Sequence, residues 1–510
     1  MAPPKLSRSA IVVLAANTMN GPGLTTLPSM ASAAGKVTFQ IVVWIAALTT
    51  SYVVARLGSV MWSVHAESDE VELEHLLETQ GMETTQDVSP GRETARPSLE
   101  ETDIVALSER LFGLKKLASI IMVGCALSLA LAQMMVCAAI ADSMFVASVG
   151  KSCGLGFFPL NVYCTSNLSM KPFMNVLPQE QGQDDGAASI PVSVVSIGLV
   201  LASSITISLA SIDLDSLLMV QYVLFGCLLA ASARFCSTLY DMGSDAASTS
   251  IQDNQPVDSI LPSHNQAAYW IGPQPLDAIG PTLFNFAFIV TAPPLIGGTD
   301  DPASSTRALV VACLLMGTLY VLVGVAGANA AASSEPGQDH NLLSLVLRGT
   351  HPEKLNRMDI GAVVLFGLSQ LASIPVYCEM ARTTLLTHIQ IQNRQLAFAA
   401  SNVWPWILVA LTYNSALFEA FVEWSSLLLL GFANFSMPLL LDHVYTQRLL
   451  QTDQSKVHER HHTSCPTRVA WALALITGSI SAVIVQRITG NVVLAEFVLL
   501  GSTMRILHWS

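Results

Sequence analysis

The chain has 510 residues, of which 52% are hydrophobic and only 12% charged, and its apolar residues recur in runs of about twenty. That is more apolar surface than one soluble core absorbs, so the composition predicts a polytopic all-α protein embedded in a lipid bilayer. The net charge of −13 is concentrated at Glu67, Asp69, Glu70, Glu72, Glu74 and Glu78 and again at Glu93, Glu100, Glu101 and Asp103, which argues against a nucleic-acid partner.

In chain order, Lys5 and Arg8 precede a first apolar run that superficially has the pattern of a signal peptide. The run is too long for one, and a second follows at once. About eleven transmembrane helices are predicted, over 11–34, 37–61, 117–146, 191–212, 217–239, 278–296, 308–328, 360–381, 397–413, 421–445 and 470–485. They make a transmembrane domain over 1–485 and leave a tail over 486–510, in which 492–500 is either a re-entrant piece or part of the tail. Between the spans lie an acidic loop at 63–109, with Pro90, Gly91 and Pro97 between two helix-like patches, loops at 150–190 and 241–276, and a basic loop at 447–468. Lys5, Arg8, Arg56, Arg110, Lys115, Lys116, Arg448 and Arg460 share one face if the N-terminus is cytosolic. The positive-inside rule therefore predicts an N-in arrangement. The loops at 150–190 and 241–276 then lie on the extracytosolic face, as does the C-terminus.

The 150–190 loop holds Asn167-Leu168-Ser169, a glycosylation acceptor pattern, and Cys153 and Cys164, candidates for a disulfide on an oxidising face. Acceptor triplets also arise by chance, and two cysteines in one loop need not pair. Asn434-Phe435-Ser436 lies inside a span, where glycosylation is implausible, and the remaining cysteines lack metal-ligand spacing. His458-Glu-Arg-His-His462 reads either as a metal or pH sensor or as a solvated run that fixes topology.

The most informative segment is Asn17-Thr-Met-Asn-Gly-Pro-Gly-Leu-Thr-Thr-Leu-Pro28, which sets a helix-breaking Gly21-Pro22-Gly23 inside the first span. At membrane depth an interrupted backbone is tolerated only where it faces protein or a polar cavity. Amides freed at the start of the second half-helix, over 23–26, suit a carboxylate, and carbonyls freed over 17–20 suit an amine or a cation. A zwitterionic amino acid matches both, which makes Thr18, Met19, Asn20, Gly21, Pro22 and Gly23 candidate substrate contacts. The bland alternative is a proline kink without a ligand.

Few ionisable residues fall within the spans, and such residues are functional candidates by default. Glu379 and Arg382 share a helix face and read as an ion pair, Asp142 is expected at the outer end of the third span, gating or facing water, and Arg234 is expected to snorkel. No phosphate-binding Gly-Lys-Ser or Gly-Lys-Thr, GxSxG or HExxH motif occurs, so no enzyme and no cofactor is predicted.

The segment 17–28 with Ala34-Gly35 resembles the first helix of the amino acid/auxin permease family, within the amino acid-polyamine-organocation superfamily. Leu131-Ala-Gln-Met-Met to Ala141-Asp142-Ser143 resembles its third helix, Phe284-Asn-Phe-Ala-Phe-Ile-Val-Thr-Ala-Pro293 its sixth and Leu368-Ser-Gln-Leu-Ala-Ser-Ile-Pro-Val-Tyr377 its eighth. Trp404-Pro405-Trp406 and Asn434-Phe-Ser-Met-Pro438 are similar to motifs of the ninth and tenth. The resemblance implies a 5+5 inverted repeat (LeuT-like) with discontinuous helices one and six and one extra helix. It also implies substrate contacts from the sixth helix at Phe284, Asn285, Phe286 and Phe288, and a coupling-ion site at Asn17 and Ser373, positions that supply sodium ligands in some relatives. The family usually has an uncharged residue at the position of Glu379.

The expected function is secondary active transport of amino acids, with H+ or Na+ as coupling ion, at the plasma membrane or a vacuolar or lysosomal membrane. A membrane-embedded amino acid sensor signalling through a segment such as 71–79, and a passive channel, are the alternatives. The sequence leaves the particular amino acid, the coupling ion, the direction and the oligomeric state open.

Overall fold

The computed structural model describes residues 6–82, 103–157, 160–166, 194–210, 214–252, 272, 278–299, 301–332, 341–348, 357–413 and 429–452. The eleventh predicted span, the tail, His458 to His462 and Asn167 lie outside them. Within them seven segments are long and apolar enough to cross a membrane, Lys36–Val64, Lys115–Val149, Leu218–Ser244, Ile279–Gly297, Ala303–Ala331, Arg357–Thr387 and Arg394–Thr412. Helix is the form expected there, because a spanning segment must satisfy its backbone internally.

The segment predicted as the first span is split into α1 (Arg8–Met19), a 3-10 turn (Pro22–Thr26) and α2 (Leu27–Ala34). Ser7 caps α1 by accepting from the Ala10 amide at 3.2 Å. Next come α3 (Lys36–Met82), α4 (Ile104–Phe112) and α5 (Lys115–Val149). The helix of the second span does not stop near residue 61, as the hydropathy predicts. It runs on into the acidic segment, which has no proline and no glycine before Gly81 to end it. Asp103 caps α4 through the Ala106 amide at 2.7 Å, and Gly113 closes it at φ 70°, a conformation that favours glycine.

Beyond α5, strands β1 (Ser152–Phe157), β2 (Leu160–Thr165) and β3 (Val194–Ser196) form an antiparallel sheet in the order β2-β1-β3. Cys153 and Cys164 oppose each other in register and are joined by a disulfide. Helices α6 (Ile197–Leu209) and α7 (Leu214–Gln252) follow. The sixth span comprises α8 (Ile279–Asn285), a 3-10 turn (Ile289–Thr291) and α9 (Ala292–Gly297). Then come α10 (Pro302–Ala331), α11 (Leu342–Arg348), α12 (Arg357–Gln370) and α13 (Ser373–Thr387). The ninth span consists of α14 (Arg394–Phe398), a π-helical turn (Ala399–Val403) and α15 (Trp404–Thr412), and the tenth ends in a second π-helical turn (Phe432–Ser436) and α16 (Met437–Thr452).

Each interruption has a proline at or just after it. Pro22 follows the end of α1, Pro293 and Pro294 follow the turn in the sixth span, and Pro375 follows the gap between α12 and α13. Pro405 and Pro438 each stand two residues beyond a π-helical turn. Proline lacks the amide that would bond the carbonyl four residues back, so a regular ladder cannot pass through it.

Helix α10 lies against α1, α2, α3 and α7, while α5 lies against α6 and α13. Its glycines allow the close approach: a Cβ on Gly324 would sit 2.4 Å from Phe39, and one on Gly327 2.4 Å from Pro28. Arg56 of α3 makes a two-pronged ion pair with Asp442 of α16, at 2.7 and 2.9 Å. Arg234 does not snorkel as expected. It pairs with Asp359 of α12 at 2.8 Å, which spares both charges an uncompensated position inside the bundle. Glu379 and Arg382 do pair, at 2.7 Å, in a half-exposed position on α13.

Candidate functional site

The site is built where the interrupted spans meet. Asn20 ends α1 and its amide still reaches back to the Ala16 carbonyl at 2.9 Å, but Gly21 turns away, its amide on the Met19 carbonyl at 2.6 Å. The carbonyls at the end of α1 are left without helical partners and are taken up from three other helices. Tyr377 of α13 donates to the Thr18 carbonyl at 2.6 Å, Tyr320 of α10 donates to that of Met19, and the Gln133 amide of α5 donates to that of Asn20 at 3.0 Å. The carbonyls predicted to stand open to an amine or cation are thus already engaged: that of Met19 accepts from both the Gly21 amide and Tyr320, while those of Thr18 and Asn20 each keep a second lone pair.

The sixth span breaks at residues 286–288, where no glycine marks the sequence. The Ile289 and Val290 carbonyls have no helical donor at Pro293 and Pro294, and the Val290 amide is held instead by the Asn434 side chain, at 3.1 Å. This break brings Asn285, the last residue of α8, against the glycines of the first. A Cβ on Gly23 would fall 2.2 Å from Asn285 Oδ1, and one on Gly21 would fall 3.1 Å from it. Only a glycine leaves room there, which is a tertiary reason for Gly23 beyond its part in breaking the helix.

Asn285 is 1% exposed, and neither its Oδ1 nor its Nδ2 has a hydrogen-bond partner among the described residues. One turn earlier on the same helix face the Thr282 hydroxyl is in the same condition. A buried polar group left unpaired costs about 1–3 kcal/mol, so both residues are a standing expense within the fold, and Asn285 lies against the first break. Phe284, Phe286 and Phe288 are all buried. Phe286 stands edge-on to Tyr320, with ring centroids 5.5 Å apart, and so backs the tyrosine that caps Met19.

The predicted ion ligands lie on either side of one glutamine. Asn17 Nδ2 donates to Gln221 Oε1 at 2.6 Å, Gln221 Nε2 donates to the Ala372 carbonyl at 2.7 Å, and Ser373 follows in the chain. Asn17 Oδ1 is buried without a partner. The Ser373 hydroxyl reaches only the Gln370 carbonyl, at a long 3.5 Å. A second cluster joins Asn20 to Gln370 (2.8 Å) and to Ser369 (3.1 Å), while Gln133 bonds Gln370 Oε1 at 2.6 Å. All of these groups are neutral amides and hydroxyls. Among the described residues no three His, Cys, Asp or Glu side chains are grouped to hold a metal ion.

The sequence reading passed over Gln221 and Tyr320 and, as site residues, Gln133, Ser369, Gln370 and Tyr377. Their signal was available: an amide or phenol inside an apolar span needs a partner on another helix. Asp142 does lie toward the end of α5 where it was expected, but it is fully buried and does not face water. It accepts from the Ser152 hydroxyl (2.7 Å), the Gly198 amide (3.0 Å) and the Tyr413 hydroxyl (2.7 Å), tying α5 to the sheet, to α6 and to the end of α15.

Two solved structures similar to the chain are of a manganese transporter from Eremococcus coleocola, one in complex with an aromatic bis-isothiourea substituted compound and one of a mutant. Each is 13% identical and spans 98% of this chain and 92% of the other, with TM-scores of 0.43 and 0.46. No family model and no curated protein matches the sequence.

Proposed function

We propose that this chain is a secondary active transporter that moves amino acids by alternating access. The observation that carries the reading is the meeting of two interrupted spans, first and sixth in chain order, across Asn285 and the Gly21 and Gly23 backbone. Interrupted helices in corresponding halves, joined near the membrane midplane, are how secondary transporters build solute sites. In this reading the fold is a 5+5 inverted repeat with one further helix, the N-terminus is cytosolic, and the disulfide-linked sheet is extracytosolic.

A zwitterion suits the neutral lining. Its carboxylate takes the amides that begin the second half-helix, its ammonium takes the second lone pairs of the Thr18 and Asn20 carbonyls, and Asn285 gains partners that it lacks within the fold. Asn285 and the two glycines are buried, so α1 or α8 must shift for solute to arrive or leave. The coupling ion is Na+ or H+, with Asn17 Oδ1 and the Ser373 hydroxyl as the oxygen ligands for sodium.

One observation favours a sensor as the second reading: α3 carries residues 71–79 as helix beyond the apolar span that ends at Val64. The deciding experiment is uptake of labelled amino acids into proteoliposomes under an imposed H+ or Na+ gradient, with Gly23→Leu as control. Saturable, gradient-driven uptake that the variant loses supports transport. Binding without uptake under any gradient supports the sensor, and neither binding nor uptake refutes an amino acid ligand.

A further inference from the structure

We infer that Gln221 of α7 is a positioning residue for the coupling ion: it fixes the Asn17 amide so that Oδ1 is presented bare to a sodium ion. The inference rests on the transport reading above and deepens it, adding a residue that acts through Asn17 without itself touching solute or ion.

Backbone groups set the orientation of both amides. The Ala372 carbonyl can only accept, so Gln221 must turn Nε2 toward it, at 2.7 Å. That leaves Gln221 Oε1 for Asn17, with the Gln221 carbonyl beside it as a second acceptor. Asn17 Nδ2 gives one hydrogen to each, at 2.6 and 2.9 Å. Turning over either amide, or both, sets oxygen against oxygen, so the chain from Ala372 through Gln221 to Asn17 admits one arrangement. Both hydrogens of Asn17 Nδ2 are then used, and Oδ1 is left without a partner among the described residues.

A strut between helices would not need that bare oxygen. Asn20, three residues on, uses both ends of its amide, donating to Ser369 at 3.1 Å and accepting from Gln370 at 2.8 Å. Asn17 and Gln221 are both 0% exposed, so water does not serve Oδ1, and a buried acceptor without a donor weakens the fold. Gln221 nonetheless enforces this arrangement, and it does so beside the gap between α12 and α13, where further oxygens are under-used. The Leu371 carbonyl finds no helical donor at Pro375, and the Ser373 hydroxyl bonds only at a long 3.5 Å, to the Gln370 carbonyl. Hard cations take neutral oxygens of these kinds, and unwound carbonyls serve sodium in transporters. An amide oxygen is too weak a base to hold a proton near neutral pH, so what Oδ1 takes is a metal cation.

The test uses the purified full-length protein in detergent and in proteoliposomes. Thermal unfolding is followed while NaCl replaces choline chloride, which gives the sodium concentration for half-maximal stabilisation, and uptake at saturating sodium gives the KM for labelled amino acids. Gln221→Met is expected to raise the sodium requirement about tenfold, the effect of one lost hydrogen bond, and to leave that KM unchanged. Gln221→Glu keeps an acceptor for Asn17 and, as the neutral acid, a donor for Ala372, so it should return the sodium requirement to the wild-type value. A sodium requirement that Gln221→Met leaves unchanged overturns the inference while the transport reading stands. A raised KM with an unaltered sodium response overturns it as well, because the bare oxygen then serves the solute. A wild type driven by a proton gradient and indifferent to sodium removes the ion and the inference together, whereas one that moves no amino acid under any gradient fails the transport reading, and the inference falls with it. Should Gln221→Met not fold, Gln221→Glu decides, with a raised sodium requirement there contrary to the proposal.

Discussion

The contact between the two breaks can be measured directly with Gly23→Ala. The added Cβ would lie 2.2 Å from Asn285 Oδ1, 2.5 Å from Nδ2 and 2.6 Å from Cγ, all closer than real Cβ atoms come to a neighbour. Asn285 is short and its Cα is fixed at the end of α8, so the amide escapes only by leaving its rotamer or by pushing the helix back. Leaving a rotamer costs about 0.5–1.5 kcal/mol, and overpacking of this kind about 1–3 kcal/mol in all. Asn285→Ala behaves differently. It removes two polar atoms that have no partners in the fold, a gain that the cavity left by the side chain offsets, so the expected change in stability is within about 1 kcal/mol of zero. In the double variant the collision is absent, and most of the Gly23→Ala loss should return as a coupling of about 1–3 kcal/mol. Equilibrium unfolding in mild detergent, followed by tryptophan fluorescence and helical circular dichroism, gives all four corners of the cycle. Additivity within about 0.5 kcal/mol would refute the contact, and with it the meeting of the two breaks. The same Asn285→Ala protein should fail to bind the solute, since what costs stability in the resting fold is what the ligand uses.

Three further outcomes are expected. Arg56→Met leaves Asp442, whose side chain is 2% exposed, as an uncompensated buried charge, and should cost about 3–5 kcal/mol in the same unfolding assay, whereas Arg56→Met with Asp442→Leu should cost much less. Asp142→Asn should lower stability by about 1–3 kcal/mol, because the amide keeps one of the two acceptor oxygens and leaves a buried donor unpaired. Tyr413→Phe in that background should then add little, because the two share one bond. Gln133→Leu strips a donor from the carbonyls of Asn20 and Gln370 and should cost about 1–3 kcal/mol for each group left unpaired. Hydrogen exchange in that variant should rise around Asn20 and Leu371, and exchange unchanged there would contradict the role given to Gln133.

What could be read residue by residue concerned the backbone. The break after Asn20 was legible because Gly21, Pro22 and Gly23 are local chemistry. The break in the sixth span was not, because its prolines stand several residues after it and no glycine occupies it. The apolar spans predicted over 37–61 and 217–239 correspond to Lys36–Val64 and Leu218–Ser244, but the helices α3 and α7 run on past them. Hydropathy marks where apolar surface stops, but a helix stops only where a cap or a breaker ends it, and neither occurs at 61 or 239. Asp142 and Arg234 looked like boundary residues because a charge in an apolar run is cheapest near water. Their actual partners, Tyr413 and Asp359, lie 271 and 125 residues away.

The sequence by itself thus determined that the chain is a set of apolar helices interrupted at prolines, since hydrocarbon leaves a backbone little choice but helix and proline removes one donor wherever it falls. The tertiary structure alone decided which freed carbonyl is met by which side chain. Gln133 lies 113 residues from Asn20, Tyr320 lies 301 from Met19 and Tyr377 lies 359 from Thr18. It also decided that Asn285 should be the amide left without a partner. A hydrogen bond forms between groups that packing brings within about 3 Å, and no local pattern along the chain specifies which distant groups those will be.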